Sequence, residues 1–146
     1  MAIPGCIPGA GTYFVTSITF GRRRVFQVAA NAELFLETLQ QYRHQGHYKL
    51  HAFVVMPDHI HLLLTPQGET IERVMGLIKG GSSHRLACKG PVWQRGFSDH
   101  RIRDQEDFRA KRAYIHQNPV RAHMVDLPEN YSYAYRVKTK EPYLSG

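Results

Sequence analysis

An α+β fold is predicted: a ferredoxin-like, split βαβ antiparallel sheet with an added C-terminal helix that carries a tyrosine. Three observations predict it. Extended runs and helical stripes follow one another as strand, helix, strand, strand, helix, strand, helix, which is the split βαβ order plus one helix. Two helical segments each carry an apolar stripe at the 3.6-residue period. Short turn sequences separate the segments, with no internal repeat and no low-complexity linker, so residues 1–146 are read as one domain with one core.

Residues 1–11 form an irregular lead-in, because Pro4, Gly5, Pro8, Gly9 and Gly11 resist helix and strand alike. Thr12 to Phe20 reads as the first strand, with Phe14, Ile18 and Phe20 on one face and Gly21 as its stop. Arg22, Arg23 and Arg24 follow at the strand end, either solvated or set against phosphates. Asn31 is the expected N-cap of a helix through about Gln45, in which Leu34, Phe35, Leu39 and Tyr42 face the core and Gly46 closes the end. Tyr48 to Val55 is the second strand, with Leu50, Ala52 and Val54 on one face and His51, Phe53 and Val55 on the other. His51 is assigned to packing. Met56-Pro57-Asp58 turns the chain into the third strand.

That third strand, His59-Ile60-His61-Leu62-Leu63-Leu64, is expected at the centre of the sheet. Successive side chains alternate, so His59 and His61 share one face while Ile60, Leu62 and Leu64 take the other. Two imidazoles so placed either pack as hydrogen-bonded residues or share a metal. The first two helices should cover the opposite face, leaving the histidine side to the added helix.

A second helix, about Thr70 to Cys88, has Ile71, Val74, Met75 and Ile78 as its stripe. Gly80 and Gly81 each cost roughly 1 kcal/mol against alanine in a helix, which suggests a break, a kink or a close approach of backbone to a ligand. Lys79, Ser82, Ser83, His84 and Arg85 gather there as donors for phosphate oxygens. Val92 to Ile102 is the fourth extended segment, holding Trp93, Arg95, Phe97 and Arg101. Asp104 caps a third helix with Glu106 and Asp107 in its first turn and Lys111, Arg112 and Arg121 flanking Tyr114. That helix should stop near Asn118, before Pro119, where a short helix can restart. From about 126 to 146 an extended tail, with Tyr131, Tyr133 and Tyr135 alternating, should lie on the body.

Charge and cysteine content narrow the function classes. A formal charge of +7, spread along the chain, predicts a polyanionic partner, nucleic acid first. Two cysteines, Cys6 and Cys88, make neither a disulfide framework nor a metal-ligand spacing, which fits a reducing compartment. No run nears the ~18 apolar residues of a membrane span, and the first residues lack the pattern of a signal peptide. A cytoplasmic, nucleoid-associated protein with no membrane partner and no small-molecule organic cofactor is expected.

Tyr114 and Asn118 stand four apart and share a helix face. With two imidazoles, the carboxamide oxygen would make a mixed site with open positions, suited to Mg²⁺ or Mn²⁺ and a phosphate. Beside such a phosphate Tyr114 would be a covalent nucleophile, since a phenol with a free pKa near about 10 needs an activated phosphorus. The same spacing also serves a helix in which Tyr114 packs and Asn118 caps.

Three stretches, Met-Pro-Asp-His-Ile-His-Leu-Leu (56–63), Pro-Val-Trp-Gln-Arg-Gly-Phe-Ser-Asp-His-Arg-Ile-Arg (91–103) and Tyr-Ile-His-Gln-Asn-Pro-Val-Arg-Ala-His-Met-Val (114–125), closely resemble the REP-associated tyrosine transposases, among the single-tyrosine HUH transposases. The resemblance runs from about residue 10 to 137 and brings three motifs in the right order. It implies cleavage and joining of single-stranded DNA through a 5′-phosphotyrosine, with a divalent metal and a palindromic hairpin as recognition element. By residue, it implies His59 and His61 as metal ligands, Tyr114 as nucleophile and Asn118 as the polar residue completing the metal site. Ser98 departs from the pattern, where an aromatic residue is more usual, which puts a stacking role there in doubt.

Single-stranded or hairpin DNA is then the expected partner, held by Arg22, Arg23, Arg24, Lys79, Arg85, Arg95, Lys111 and Arg112 at the borders of the His59/His61 face. A monomer is expected if the tyrosine helix serves its own site, and a dimer if the helix is exchanged. Two alternatives stand beside this reading. A histidine-triad nucleotide hydrolase would begin His-x-His-x-His, but position 63 is leucine. A hairpin-binding protein derived from a transposase would keep recognition and lose chemistry.

Overall fold

The structure, a computed structural model, describes residues 11–86 and 88–136. The predicted lead-in up to residue 10, Cys6 and the tail beyond residue 136 lie outside the described residues. The elements in chain order are β1 (Tyr13–Ile18), α1 (Ala29–His44), β2 (Tyr48–Met56), β3 (His59–Pro66), α2 (Ile71–Arg85), β4 (Ser98–Arg101), α3 (Gln105–Arg121) and β5 (Ala134–Arg136). The strands form one antiparallel sheet in the order β4-β1-β3-β2-β5, with β3 central as the pattern of the sequence requires.

Each face of the sheet has its own apolar cluster. On one, Val15, Leu50, Phe53, Val55, Ile60, Leu62 and Leu64 pack against Phe35 and Leu39 of α1 and Ile71, Val74, Met75 and Ile78 of α2. On the other, Ala52, Val54, Met56 and Leu63 meet Phe108 and Ile115 of α3. The third helix packs over β2, β3 and β5. Phe14, Thr16 and Ile18 of β1 are only half-buried on that face, and Ser98 of β4 is exposed.

Several expectations need correction. Phe53 and Val55 do not share a face with His51, because the β2–β3 register shifts between Leu50 and Ala52. One extra residue there flips the alternation: Leu50, Phe53 and Val55 enter the first cluster, Ala52 and Val54 the second. His51 is buried, bonds Thr65 Oγ1 at 2.7 Å and stacks edge-on to Phe108, so its assignment to packing holds. β1 ends at Ile18, and Phe20 lies in a short 3₁₀ turn, half exposed. Asn31 does not cap α1. The helix starts two residues before it, and the Asn31 amide instead donates to the Val25 carbonyl at 2.9 Å. Gly46 does close α1, with φ +87.

The fourth extended segment is shorter than expected. Only 98–101 is strand, because Gly96 has φ +79 and the chain bows away from β1 before it pairs. In α3 the helix runs on through Pro119, whose missing N–H costs only the bond to Ile115 near the helix end. The tyrosine-rich tail is extended in part: a 3₁₀ turn at Pro128–Asn130 precedes Tyr131, whose hydroxyl donates to the Val55 carbonyl at 2.6 Å, and β5 then pairs with β2.

The glycine pair leaves α2 continuous. At Gly81 a Cβ would collide with the Tyr42 ring of α1, whereas Gly80 faces open space. The close approach is therefore to a neighbouring helix. Gly80→Ala should raise unfolding free energy by up to about 1 kcal/mol through helix propensity, while Gly81→Ala should lower it by ~1–3 kcal/mol through overpacking. Urea unfolding of the two variants checks this, and equal effects would contradict the packing described.

Candidate active site

β1 and β3 pair in a register that sets Thr16 opposite His61 and Ile18 opposite His59. Both imidazoles therefore emerge on the α3 side, their ring centroids 4.8 Å apart. Each ring is held by its Nδ1. His59 Nδ1 donates to Asp58 Oδ1 at 2.7 Å, and a carboxylate only accepts, so the proton sits on Nδ1 and the lone pair on Nε2. His61 Nδ1 shares a 2.8 Å hydrogen bond with the Thr16 hydroxyl. In metal-binding histidines a carboxylate partner fixes tautomer and ring angle, as Asp58 does for His59; the Thr16 hydroxyl, which can donate or accept, sets the ring angle of His61.

Electrostatics favour neutral imidazole at His61. Burial, then the charges of His59 and Arg121, push its pKa down to about 3. The Asp58 carboxyl is also lowered: burial raises its pKa, but the hydrogen bonds and charges of His59 and Arg22 outweigh that and leave it below its ordinary value.

Tyr114 reaches the pair from α3. Its ring lies edge-on to His61, with centroids 5.4 Å apart, and edge-on to Phe14 at 5.7 Å, while Phe14 stacks on His61 at 5.3 Å. At 40% exposure the tyrosine is accessible from outside. Arg121 covers it: the guanidinium carbon is 4.0 Å from the ring centroid, and Nη2 donates to the Tyr114 carbonyl at 3.3 Å. Asn118, one turn on from Tyr114, is buried at 9% exposure.

Sequence reasoning missed the supports of this cluster. Asp58 was visible in the motif next to His59, and Arg121 lies seven residues from Tyr114, two helical turns along one face. Thr16 and Phe14 gave no signal, since nothing local announces which strand will pair with β3.

The expected DNA-contacting cations divide into two groups. Arg22 pairs with Asp58 Oδ2 at 3.2 Å and is largely exposed beside His59. Arg24 and Arg95 are exposed. Four others are engaged within the fold. Arg23 donates to the carbonyls of Lys89 and Pro91. Lys79 Nζ donates to the carbonyls of Gln94 at 3.0 Å and Gly96 at 2.6 Å. Arg85 bonds Thr38 at 3.4 Å and Gln41 at 2.6 Å, tying α2 to α1 on the sheet face away from the histidines. Lys111 pairs with Asp107 at 3.1 Å. Arg112 is half-buried on α3.

The start of α3 is fixed by one carboxylate. Asp107, 2% exposed, accepts from His100 Nε2 of β4 at 2.8 Å, from the Arg103 amide at 3.0 Å and from Lys111. Asp104 caps the helix by accepting from the Asp107 amide at 2.8 Å. His100 thus fastens the tyrosine helix to the edge strand.

Residues 11–118 match the sequence profile of a family described as IS200-like transposases. A REP-associated tyrosine transposase of Escherichia coli (strain K12) is 28% identical over 113 residues, covering 76% of this chain and 67% of that protein. A solved structure, described as a REP-associated tyrosine transposase bound to a REP hairpin, superposes with a TM-score of 0.76 at 26% identity, covering 85% of this chain and 75% of the other.

Asp107 makes the seating of α3 acid-sensitive. Burial alone would raise its pKa, but the hydrogen bonds from His100, the Arg103 amide and Lys111 prevail and hold it far below the usual range. The unfolded carboxyl, near about 3.9, takes up a proton first as the pH falls, so the stability from Asp107 is present above that value and is lost below it. Asp107→Asn should cost ~2 kcal/mol at neutral pH and flatten the loss of stability on acidification below about pH 4. Urea unfolding across that range is the check; an unchanged acid slope would refute it.

Proposed function

Because the chain belongs to the IS200-like transposase family, we propose that it is a metal-dependent single-strand DNA endonuclease and strand transferase that acts at hairpin DNA through Tyr114. The observation that carries the proposal is the Tyr114 ring lying edge-on to His61, with Arg121 above it and His61 beside His59. The solved relative bound to a REP hairpin supports a palindromic hairpin as the recognition element.

The donor set fits a divalent cation. Two imidazoles, each secured through Nδ1, offer Nε2, and the Asn118 carboxamide can add an oxygen from the helix face that carries Tyr114. Such nitrogen and oxygen donors suit Mn²⁺ and admit Mg²⁺. When bound, the cation would withdraw charge from the phosphorus and orient the scissile phosphate.

The remaining steps belong to the chain's own groups. Phe14 and Arg121 hold the Tyr114 ring from two sides, which limits the rotamers the nucleophile must lose on attack. The phenol oxygen attacks phosphorus, the bond to the 3′-oxygen breaks, and a 5′-phosphotyrosine and a free 3′-hydroxyl result. Attack of a 3′-hydroxyl on the phosphotyrosine reverses the step and joins strands. That Tyr114 meets His61 of its own chain supports a monomer whose tyrosine helix serves its own site. A hairpin-binding protein without chemistry would have no use for an accessible tyrosine kept beside paired imidazoles.

Two outcomes are expected. With labelled hairpin DNA carrying single-stranded flanks, wild type plus Mn²⁺ or Mg²⁺ should give a covalent protein–DNA band that chelator removes. Tyr114→Phe should lose that band and keep the mobility shift; an adduct surviving in Tyr114→Phe would sink the assignment. Separately, Arg24→Ala and Arg95→Ala should each lower the slope of log affinity against log salt by about 0.7 to 0.9. Arg85→Ala should leave the slope unchanged, since its guanidinium is tied to α1. A fall in the Arg85→Ala slope as large as in the other two would contradict this division of the cations.

A further inference from the structure

Beside the histidines, the α3 face of the sheet carries a groove of about 290 Å³. Its floor is Thr16 and Ile18 of β1, the residues opposite His61 and His59 in the ladder. Its wall is an arch of chain carrying Gln94, Arg95, Phe97 and Ser98.

The arch is built, not loose. At one end Trp93 is buried, bridges to Thr19 and donates from its indole to Ser82 at 3.0 Å, and the Gln94 amide donates to the Ile18 carbonyl at 2.9 Å. At the other end Ser98 rejoins β1 opposite Thr16. Between them the chain stands off the strand edge. Lys79 holds it there through the carbonyls of Gln94 and Gly96, and Gly96 supplies the φ of +79 that the turn needs.

The lining has the chemistry of one nucleotide. Ile18 is half-buried and offers apolar surface to a flat heterocycle, Phe97 adds what its packing on the main core leaves accessible, the Gln94 amide both donates and accepts toward a base edge, and Arg95 brings a guanidinium for a phosphate. At ~30 Å³ per water, the groove displaces the room of roughly ten waters, enough for one planar base. Asp99, the neighbouring carboxylate, alternates to the face of β4 opposite Ser98 and is not part of the groove lining. Continuity matters as much as chemistry: a strand with its phosphate at His59 and His61 would place an adjoining nucleotide over Ile18 and Thr16.

We propose that this groove takes one unpaired nucleotide of the DNA strand flanking the phosphate at the His59/His61 centre. The proposal rests on the DNA reading given above and adds to it a base-reading subsite.

The test uses the whole chain, isotope-labelled, and four short single-stranded homo-oligonucleotides, each compared with an abasic deoxyribose-phosphate chain of the same length. At least one base-bearing oligonucleotide should shift the Gln94 side-chain amide, the Ile18 methyls and the Phe97 ring, and the abasic chain should not. Removing the bases should weaken binding by about tenfold, the size of one base stacked on a side chain. Gln94→Ala and Arg95→Ala, both at exposed positions, should lower affinity for the responsive oligonucleotide several-fold. Shifts at Ile18 and Gln94 that are equal with and without bases, or absent with all four oligonucleotides, overturn the subsite. The covalent-adduct assay with Tyr114 reads the chemistry independently, so loss of the adduct with these shifts retained would remove the nuclease reading and leave the nucleotide site.

Discussion

The ladder between β1 and β3 is the constraint on which the site depends. Leu62, Leu64 and Ile60 are fully buried against α1 and α2, and the strand's period of two sends His59 and His61 the other way. A slip of one residue would bury both imidazoles in the main core and expose Ile60 and Leu62, an exchange the apolar cluster forbids. The same register brings Thr16 to His61 and Ile18 to His59. Core packing and the placement of the two histidines are thus two results of one pairing, while Asp58 and Thr16 set the angles of their rings.

The parts of this arrangement that were legible in the sequence are those written in local periodicity. Alternation in 59–64, the stripe Ile71, Val74, Met75, Ile78 and the Asp104 cap all carry their structural meaning within a few residues, and the element order then implies the sheet. The misreadings have long-range causes. The shift between Leu50 and Ala52 follows from how β2 meets β3, the early start of α1 from an Asn31 bond to Val25, and the arch before β4 from Lys79 on another element. The nucleophile candidate and both histidines were visible as residue types at a spacing, while the groups that hold them, Thr16, Phe14 and Arg121, depend on pairing that spacing does not reveal.

The basic character of the chain likewise divides once structure is known. Arg23, Lys79, Arg85 and Lys111 are each engaged with carbonyls, an amide, a hydroxyl or a carboxylate of the protein. A polar head held by an ordered partner near the surface helps fasten segments outside helix and strand, such as 89–96, beside the anchorage that buried Val92 and Trp93 already give. Their charge still adds to the long-range field that attracts a polyanion, but contact with a phosphate would require breaking an internal bond. Arg22 belongs to both groups, because its partner Asp58 is also the partner of His59; a phosphate drawing Arg22 away would alter the carboxylate that orients the imidazole.

The position of β5 orders the assembly of the candidate site in time. It pairs with the outer edge of β2, next to the point where Tyr131 bonds the Val55 carbonyl, and it packs with α3. During synthesis the histidines leave the ribosome first, the tyrosine helix some fifty residues later as the numbering gives it, and this strand after both. Until it arrives, β2 has an open edge and α3 lacks one of its flanking supports. A nascent chain or a product cut short before residue 131 would therefore carry all four candidate site residues without the finished platform that presents them, so the candidate site is completed only with the sheet.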